Sequence, residues 1–297
     1  MNATASASAA AASAASASAA SASAAAAVPA VPLAFAFIFG LCVGSFLNVV
    51  IYRLPRAEGL GGRSRCPHCR VQLAWIDLIP VVSFLWLGGR CRRCRARIAW
   101  RYPLVELATG LLALAVVDRF GFTAAAALYF AFSAALVAIT FIDLDWKIIP
   151  DVITLPGVAL GLVAVVAAQL AARAGLDAPS LVVNPSRALA GAVGGAAGLW
   201  VVAFAYRRMT GIEGLGFGDV KLAGLLGAFL GSAGVFLTIL LAAAAGSVVG
   251  LALIAAGRGT SKTALPFGTF LAPAGVLVLF HGASLIGWYL DRLRIGG

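Results

Sequence analysis

Apolar runs of about twenty residues recur from position 33 to position 290, and short polar breaks separate them. A helix needs about twenty apolar residues to cross a hydrocarbon core of about 30 Å. The runs fall at 33–51, 104–117, 122–142, 152–172, 187–206, 220–230, 235–256 and 269–290. The pattern therefore predicts an all-α polytopic membrane protein of about eight transmembrane helices. The breaks carry turn chemistry: Asp118-Arg119-Phe120-Gly121, the polar stretch 173–186, Gly231-Ser232, and 257–262 with Pro266 beyond it. The sixth run is short and rich in glycine, so its ends are the least sharply drawn.

Composition agrees with the pattern. Hydrophobic residues make up 62% of the 297 positions and charged residues only 11%, with mean hydropathy +1.01. A soluble domain carries about a quarter charged residues. Alanine and glycine are frequent inside the apolar runs, which lets helices approach closely in lipid.

The formal charge is +11, but eleven of the 22 Lys and Arg residues fall between Arg53 and Arg101. A basic stripe beside a membrane span reads as a cytoplasmic loop under the positive-inside tendency, and no nucleic-acid partner is needed to explain it. With 53–103 inside and sides alternating, 17 basic residues face the cytoplasm and 5 face outward. Five of the eleven carboxylates then gather at helix ends on the cytoplasmic face: Asp143, Asp145, Asp151, Glu213 and Asp219.

Residues 1–30 are almost wholly Ala and Ser and lack the basic n-region of a secretory signal. Such low complexity offers nothing to pack and is read as a disordered extension. The expected division is this extension, a first transmembrane helix at 31–52, a cytoplasmic loop domain at 53–103, and a membrane-embedded remainder at 104–297.

The loop reads Cys66-Pro-His-Cys69 and Cys91-Arg-Arg-Cys94, with 21 residues between the pairs. Two such knuckles form the pattern of a tetrahedral four-cysteine zinc site. A reducing cytoplasm disfavours disulfides, and a thioredoxin-like redox pair would come with a βαβ context absent here. Four thiolates close the coordination shell, so the zinc is read as structural, supplying folding free energy to a loop with little core. His68 reads as a solvent-facing turn residue, Cys42 as a small apolar residue of the first span, and His281 as a histidine without chemical role.

Two further segments hold the chemistry. "IDLDWKIIPD" (142–151) ends one span and opens the next, and "GLGFGDVKLAG" (214–224) opens the sixth. Taken singly, each aspartate has a structural reading. Asp151 and Asp219 suit N-caps, with Lys221 snorkelling outward, and Asp145 suits an interfacial pair with Lys147. Taken together, boundary carboxylates on one face of a helical bundle point to function. Asp143 and Asp219 would form a dyad sharing a proton, one activating water while the other polarises a carbonyl. No Ser–His or Cys–His pair is available on that face. Gly216 and Gly218 remove two Cβ atoms beside Asp219, which is expected to allow φ > 0 and close approach of a substrate backbone.

These residues together resemble the bacterial prepilin peptidases, also called type IV leader peptidases. The resemblance runs through "GSFLNVVIYRLP" (44–55), the cysteine loop with "GGRCRRC" (88–94), "RYPLVE" (101–106), "IDLDWKIIPD" and "EGLGFGDVKLAG" (213–224). It implies a GxGD aspartyl membrane protease that cleaves the leader of type IV prepilins and type II secretion pseudopilins after a glycine, on the cytoplasmic side of the bacterial inner membrane. It places the catalytic aspartates at Asp143 and Asp219 and leaves Asp145 and Asp151 in the surrounding motif. The cysteines match the loop of bifunctional members, which implies N-methylation of the new terminus from S-adenosylmethionine. No residue is assigned to bind that methyl donor, and nothing is read from Asp77. Two other classes stay in view. A proton- or ion-coupled carrier would place its carboxylates near the midplane and show repeated halves. A zinc-stabilised assembly subunit would tolerate loss of either aspartate.

Overall fold

A computed structural model describes residues 30–295, apart from 177, 180, 212, 213 and 259–264. The expected disordered extension therefore lies outside the described residues except for Ala30, as do Glu213 and Lys262. Among the described residues the chain is helical, without a named strand. The long helices are α1 (Ala30–Arg53), α3 (Arg101–Phe120), α4 (Ala124–Trp146), α5 (Asp151–Arg173), α6 (Pro185–Thr210), α7 (Phe217–Ala255) and α8 (Gly268–Ile295). A short α2 (Val82–Trp86) and two 3-10 turns lie in the loop between α1 and α3.

The expected sixth and seventh spans follow one another without a loop as α7, two helical segments that meet at Gly231. α7 has 39 residues, and a straight helix of that length would extend about 58 Å, nearly twice the hydrocarbon thickness. Gly231 interrupts it with φ 71° and ψ −179°, a conformation reserved for glycine. The break needs no intervening loop because one residue redirects the axis. Six of the helices are long and apolar enough to cross a membrane. α3 falls short by composition because its ends carry Arg101, Glu106, Asp118 and Arg119.

The core sits around α4 and the first half of α7. Leu136, Ile139 and Ile142 of α4 are inaccessible, as are Leu222, Ala223, Leu226 and Ala228 of α7. The second half of α7 leaves Phe236, Leu240, Val248 and Leu251 exposed, as a lipid-facing helix should. α6 and α7 touch backbone to backbone. A Cβ on Gly227 would stand 2.0 Å from the Gly191 carbonyl oxygen, so the small residues here are a condition of packing.

Polar contacts gather at one end of this bundle. Asn48 of α1 donates to the Tyr102 carbonyl at 3.0 Å, at the start of α3. Arg101 pairs with Asp145 at the end of α4. Lys221 of α7 bridges Asp151 of α5 at 2.6 and 2.7 Å. The end of α4, the starts of α3, α5, α7 and α8, and the cysteine loop therefore share one face.

Candidate functional site

Asp143 lies in the last turn of α4 and is buried. Its Oδ2 accepts from the Thr269 backbone N–H at 2.8 Å and from the Thr269 hydroxyl at 3.2 Å. Lys147, at φ 55°, closes α4 by donating its N–H to the Asp143 carbonyl at 2.8 Å. That left-handed cap ends the helix one turn after the carboxylate.

Asp219 is the third residue of α7 and is also buried. Its Oδ2 accepts from the Gly216 N–H at 3.1 Å, so it satisfies one of the orphan donors of the helix start. Gly268 at the start of α8 lies beside Asp143, and Gly218, the neighbour of Asp219, packs on the same Ile149 side chain that Gly268 does. A Cβ on Gly268 would lie 2.9 Å from Asp143 Oδ2 and 2.8 Å from Ile149 Cδ1. Three helix ends thus bring two carboxylates and a backbone donor to one point.

The neighbouring aspartates do other work, and two sequence readings change. Asp145 pairs with Arg101 rather than with Lys147. Asp151 is the first helical residue after Pro150 rather than the cap, and Lys221 folds onto it instead of reaching outward. The glycines of the GxGD segment change as well. Gly216 is extended at φ −77° and ψ 149°, and Gly218 is helical, so neither uses positive φ. A Cβ on Gly218 would meet Ile149 Cβ at 3.0 Å, and one on Gly216 would meet nothing nearer than Asp219 Oδ2 at 3.5 Å. The tight glycine of this centre is Gly268. Sequence reasoning left Gly268 and Thr269 without a role, although "PFGTF" (266–270) opens a span on the same face as "GFGD".

The cysteine loop is built from the same turn twice, 25 residues apart (91 minus 66). In the first, Arg70 N donates to Cys66 O at 2.9 Å and Cys66 N to Val71 O at 3.0 Å; in the second, Arg95 N donates to Cys91 O at 3.0 Å and Cys91 N to Ala96 O at 2.9 Å. Arg70 and Arg95 both take left-handed φ, at 56° and 60°. Asp77 bridges Arg92 at 2.7 Å and ties the intervening stretch to the second turn.

The two turns converge their thiols. The Sγ atoms of Cys66, Cys69, Cys91 and Cys94 all lie within 4.8 Å of one another. Cys66 Sγ and Cys94 Sγ are 3.8 Å apart. A tetrahedral zinc with Zn–S near 2.3 Å has sulfur–sulfur edges of about 3.8 Å. The donor set fits a metal ion. The backbone N–H groups of Cys94 and Arg93 pull the Cys91 thiol down to about 7, while desolvation and the neighbouring Cys69, Cys91 and Cys66 thiols push that of Cys94 up to about 11. From 54 to 100 only Cys66, Phe84 and Cys91 are buried, so this loop has almost no apolar core of its own. His68, Cys42 and His281 are all exposed.

The fold and these sites define a multi-pass helical membrane protein with paired buried carboxylates and a four-cysteine loop at one end. Comparison with known proteins makes the class specific. The model of the bacterial peptidase A24 N-terminal domain matches residues 38–120, and that of the type IV leader peptidase family matches residues 130–251. A prepilin leader peptidase/N-methyltransferase of Stutzerimonas stutzeri is 38% identical over 291 residues, covering 89% of this chain and 96% of that protein. One from Pseudomonas aeruginosa PAO1 is 39% identical over 287 residues, covering 88% and 95%. One from Burkholderia pseudomallei 1026b is 39% identical over 276 residues, covering 84% and 85%. No solved structure matches the chain. The chain belongs to the type IV leader peptidase family.

Proposed function

We propose that this protein is a bifunctional enzyme of the bacterial inner membrane. It cleaves the leader of type IV prepilins and type II secretion pseudopilins after a glycine and then N-methylates the new terminus. The observation that carries the cleavage reading is that Asp143 and Asp219, buried at the ends of two different helices, flank the same Ile149 and Gly268. Two carboxylates this near hold one proton between them. The ionised one takes a proton from a water molecule as the water attacks the scissile carbonyl. The protonated one donates to the carbonyl oxygen, and the proton then passes to the leaving amine. Thr269 fixes the Asp143 carboxylate and Gly216 fixes that of Asp219, so neither must reorganise during the reaction. A carrier reading is less well served, because these carboxylates sit at helix ends beside the loop.

The 53–103 loop acts as a zinc-stabilised unit, with Cys66, Cys69, Cys91 and Cys94 as ligands, beside the 104–297 peptidase part. Zinc would hold the two turns together where apolar packing is scant. S-Adenosylmethionine would supply an electrophilic methyl group to the product amine. The concentration of arginine in the loop favours a cytoplasmic location for this face.

The test uses the purified full chain with a prepilin bearing its leader. Mass spectrometry should find cleavage after the leader glycine and, with S-adenosylmethionine added, a mass gain of one methyl group. Membrane-impermeant thiol labelling of inverted and right-side-out vesicles checks the orientation. Labelling of the loop from the outer side would overturn it, and an intact prepilin would overturn the peptidase reading.

A further inference from the structure

Between the two cysteine turns, residues 75–86 read "WIDLIPVVSFLW", with one charged residue in the stretch. That charge is turned inward. Asp77 Oδ1 accepts from Arg92 at 2.7 Å and Oδ2 from the Ala74 N–H at 3.3 Å, and its side chain is only 8% exposed. The apolar side chains do the opposite. Trp75 is 79% exposed and Trp86 80%, and Ile76, Ile79, Val82 and Leu85 are exposed as well. In α2, Val82, Leu85 and Trp86 share one face at i, i+3 and i+4. Phe84 is buried instead, against Trp100, with ring centroids 4.8 Å apart. A contiguous exposed patch of this kind is unfavourable in water and marks a surface that an apolar phase covers.

The packing of this stretch on α3 identifies the phase. Glu106 lies five residues beyond the start of α3 (106 minus 101), about 7.5 Å along its axis. Its Oε2 accepts from the Val81 N–H at 2.7 Å. The segment is therefore drawn to the level at which α3 presents Leu104 and Leu107, both exposed, to lipid. Trp100, directly ahead of α3 and itself exposed, joins the patch to that helix through Phe84. Three exposed tryptophans at one end of a helical bundle match the aromatic belt of a membrane–water interface. Charge decides between occupants. Arg90, Arg93, Arg95 and Arg97 follow α2 within eleven residues (97 minus 86), and all four are exposed. A second copy of this chain would bring the same arginines against them, whereas an anionic lipid surface neutralises them.

We propose that residues 75–86 are an interfacial anchor, lying between headgroups and acyl chains of the adjoining leaflet, with the arginines of 90–97 on anionic phospholipid headgroups. The face of α2 that carries Val82, Leu85 and Trp86 turns to the acyl chains, and Trp75 sits at the headgroup level beside it. The Glu106 contact sets the depth of the anchor. The bridge from Asp77 to Arg92 ties it to the second cysteine turn, so the turn is held at the membrane surface along with it. The cysteine loop is thereby gripped from two sides, by the starts of its flanking helices and by lipid. It stays at the same end of the bundle as Asp143 and Asp219, within reach of a polypeptide emerging from the bilayer.

The experiment uses the full chain in vesicles of phosphatidylethanolamine and phosphatidylglycerol. The vesicles also contain a phospholipid with a photoactivatable diazirine near the glycerol end of one acyl chain, and mass spectrometry locates the labelled peptides. In the wild type, label in 75–86 should come within about threefold of that in 104–111 of α3, and the polar stretch 63–70 should carry roughly tenfold less. Trp75→Glu with Trp86→Glu changes two exposed side chains, and should lower label in 75–86 roughly fivefold at an unchanged unfolding temperature. Omitting phosphatidylglycerol should lower it about twofold or more and leave 104–111 as before. Wild-type protein labelled in 104–111 but not in 75–86 would overturn the anchor. Cross-links joining 75–86 of two chains would then identify a second copy as the cover, and protection by added prepilin would identify the substrate. Label in 63–70 equal to that in 75–86 would also overturn it. Label in 75–86 that is indifferent to phosphatidylglycerol would overturn the role of the arginines.

Discussion

Replacing Gly268 by alanine tests the geometry of the carboxylate pair through a single methyl group. The added Cβ would stand 2.9 Å from Asp143 Oδ2, 3.1 Å from its Cγ and 2.8 Å from Ile149 Cδ1. Ordinary contact begins near 3.4 Å, so the carboxylate must move by at least about 0.5 Å (3.4 minus 2.9). It is held by two hydrogen bonds from Thr269, the neighbouring residue, so it cannot move freely. A misplacement of about 1 Å at a reacting group costs on the order of 100-fold, and half of that displacement gives roughly 10- to 100-fold, or about 1.4 to 2.7 kcal/mol in the barrier. Gly268 has no left-handed φ, so backbone strain does not confuse the result. Gly216→Ala is the comparison: its Cβ meets nothing nearer than 3.5 Å, and its φ of −77° is open to alanine. That variant keeps the backbone N–H from which Asp219 accepts, and should hold kcat within about threefold of wild type. The assay is leader cleavage under saturating prepilin, with thermal unfolding in detergent as the stability check. Equal activity of Gly268→Ala and wild type, or a larger loss for Gly216→Ala, would refute the reasoning.

Other outcomes follow from the same contacts. Thr269→Val keeps the N–H to Asp143 but removes the hydroxyl at 3.2 Å, and kcat should fall about 2- to 10-fold, the worth of one such bond. Lys221→Met breaks the bridge to Asp151, whose side chain is 55% exposed; stability should change by less than about 1 kcal/mol, and cleavage should persist. Elemental analysis should find one zinc per chain, lost in Cys66→Ser together with protection of residues 63–97 from proteolysis.

The long apolar runs made the helical architecture legible, because length and composition alone decide whether a segment can cross lipid. The break inside α7 was legible at Gly231-Ser232, where two spans were expected to part. Its form depends on one residue's φ, which hydropathy does not carry. Asp143, Asp219 and the four cysteines stood out because carboxylates and paired thiols are rare in such a chain. Their partners did not. Thr269 and Gly268 look like any helix start, and only packing of α8 against α4 gives them a role. Likewise, the pairings of Asp145 with Arg101 and of Lys221 with Asp151 join residues 44 and 70 positions apart, beyond any local pattern. The repeated cysteine turn was written in the sequence at a fixed offset, and the left-handed residue after each second cysteine explains its shape.

The central claim is that Asp143 and Asp219 together perform the cleavage. Its most direct test is the single-turnover rate of leader cleavage by Asp143→Asn and by Asp219→Asn, each purified with its zinc content and unfolding temperature verified. Each variant alone should lose activity by a factor of about 1,000 or more, because neither asparagine can exchange the proton that the pair shares. Cleavage near the wild-type rate by either folded variant would contradict the account.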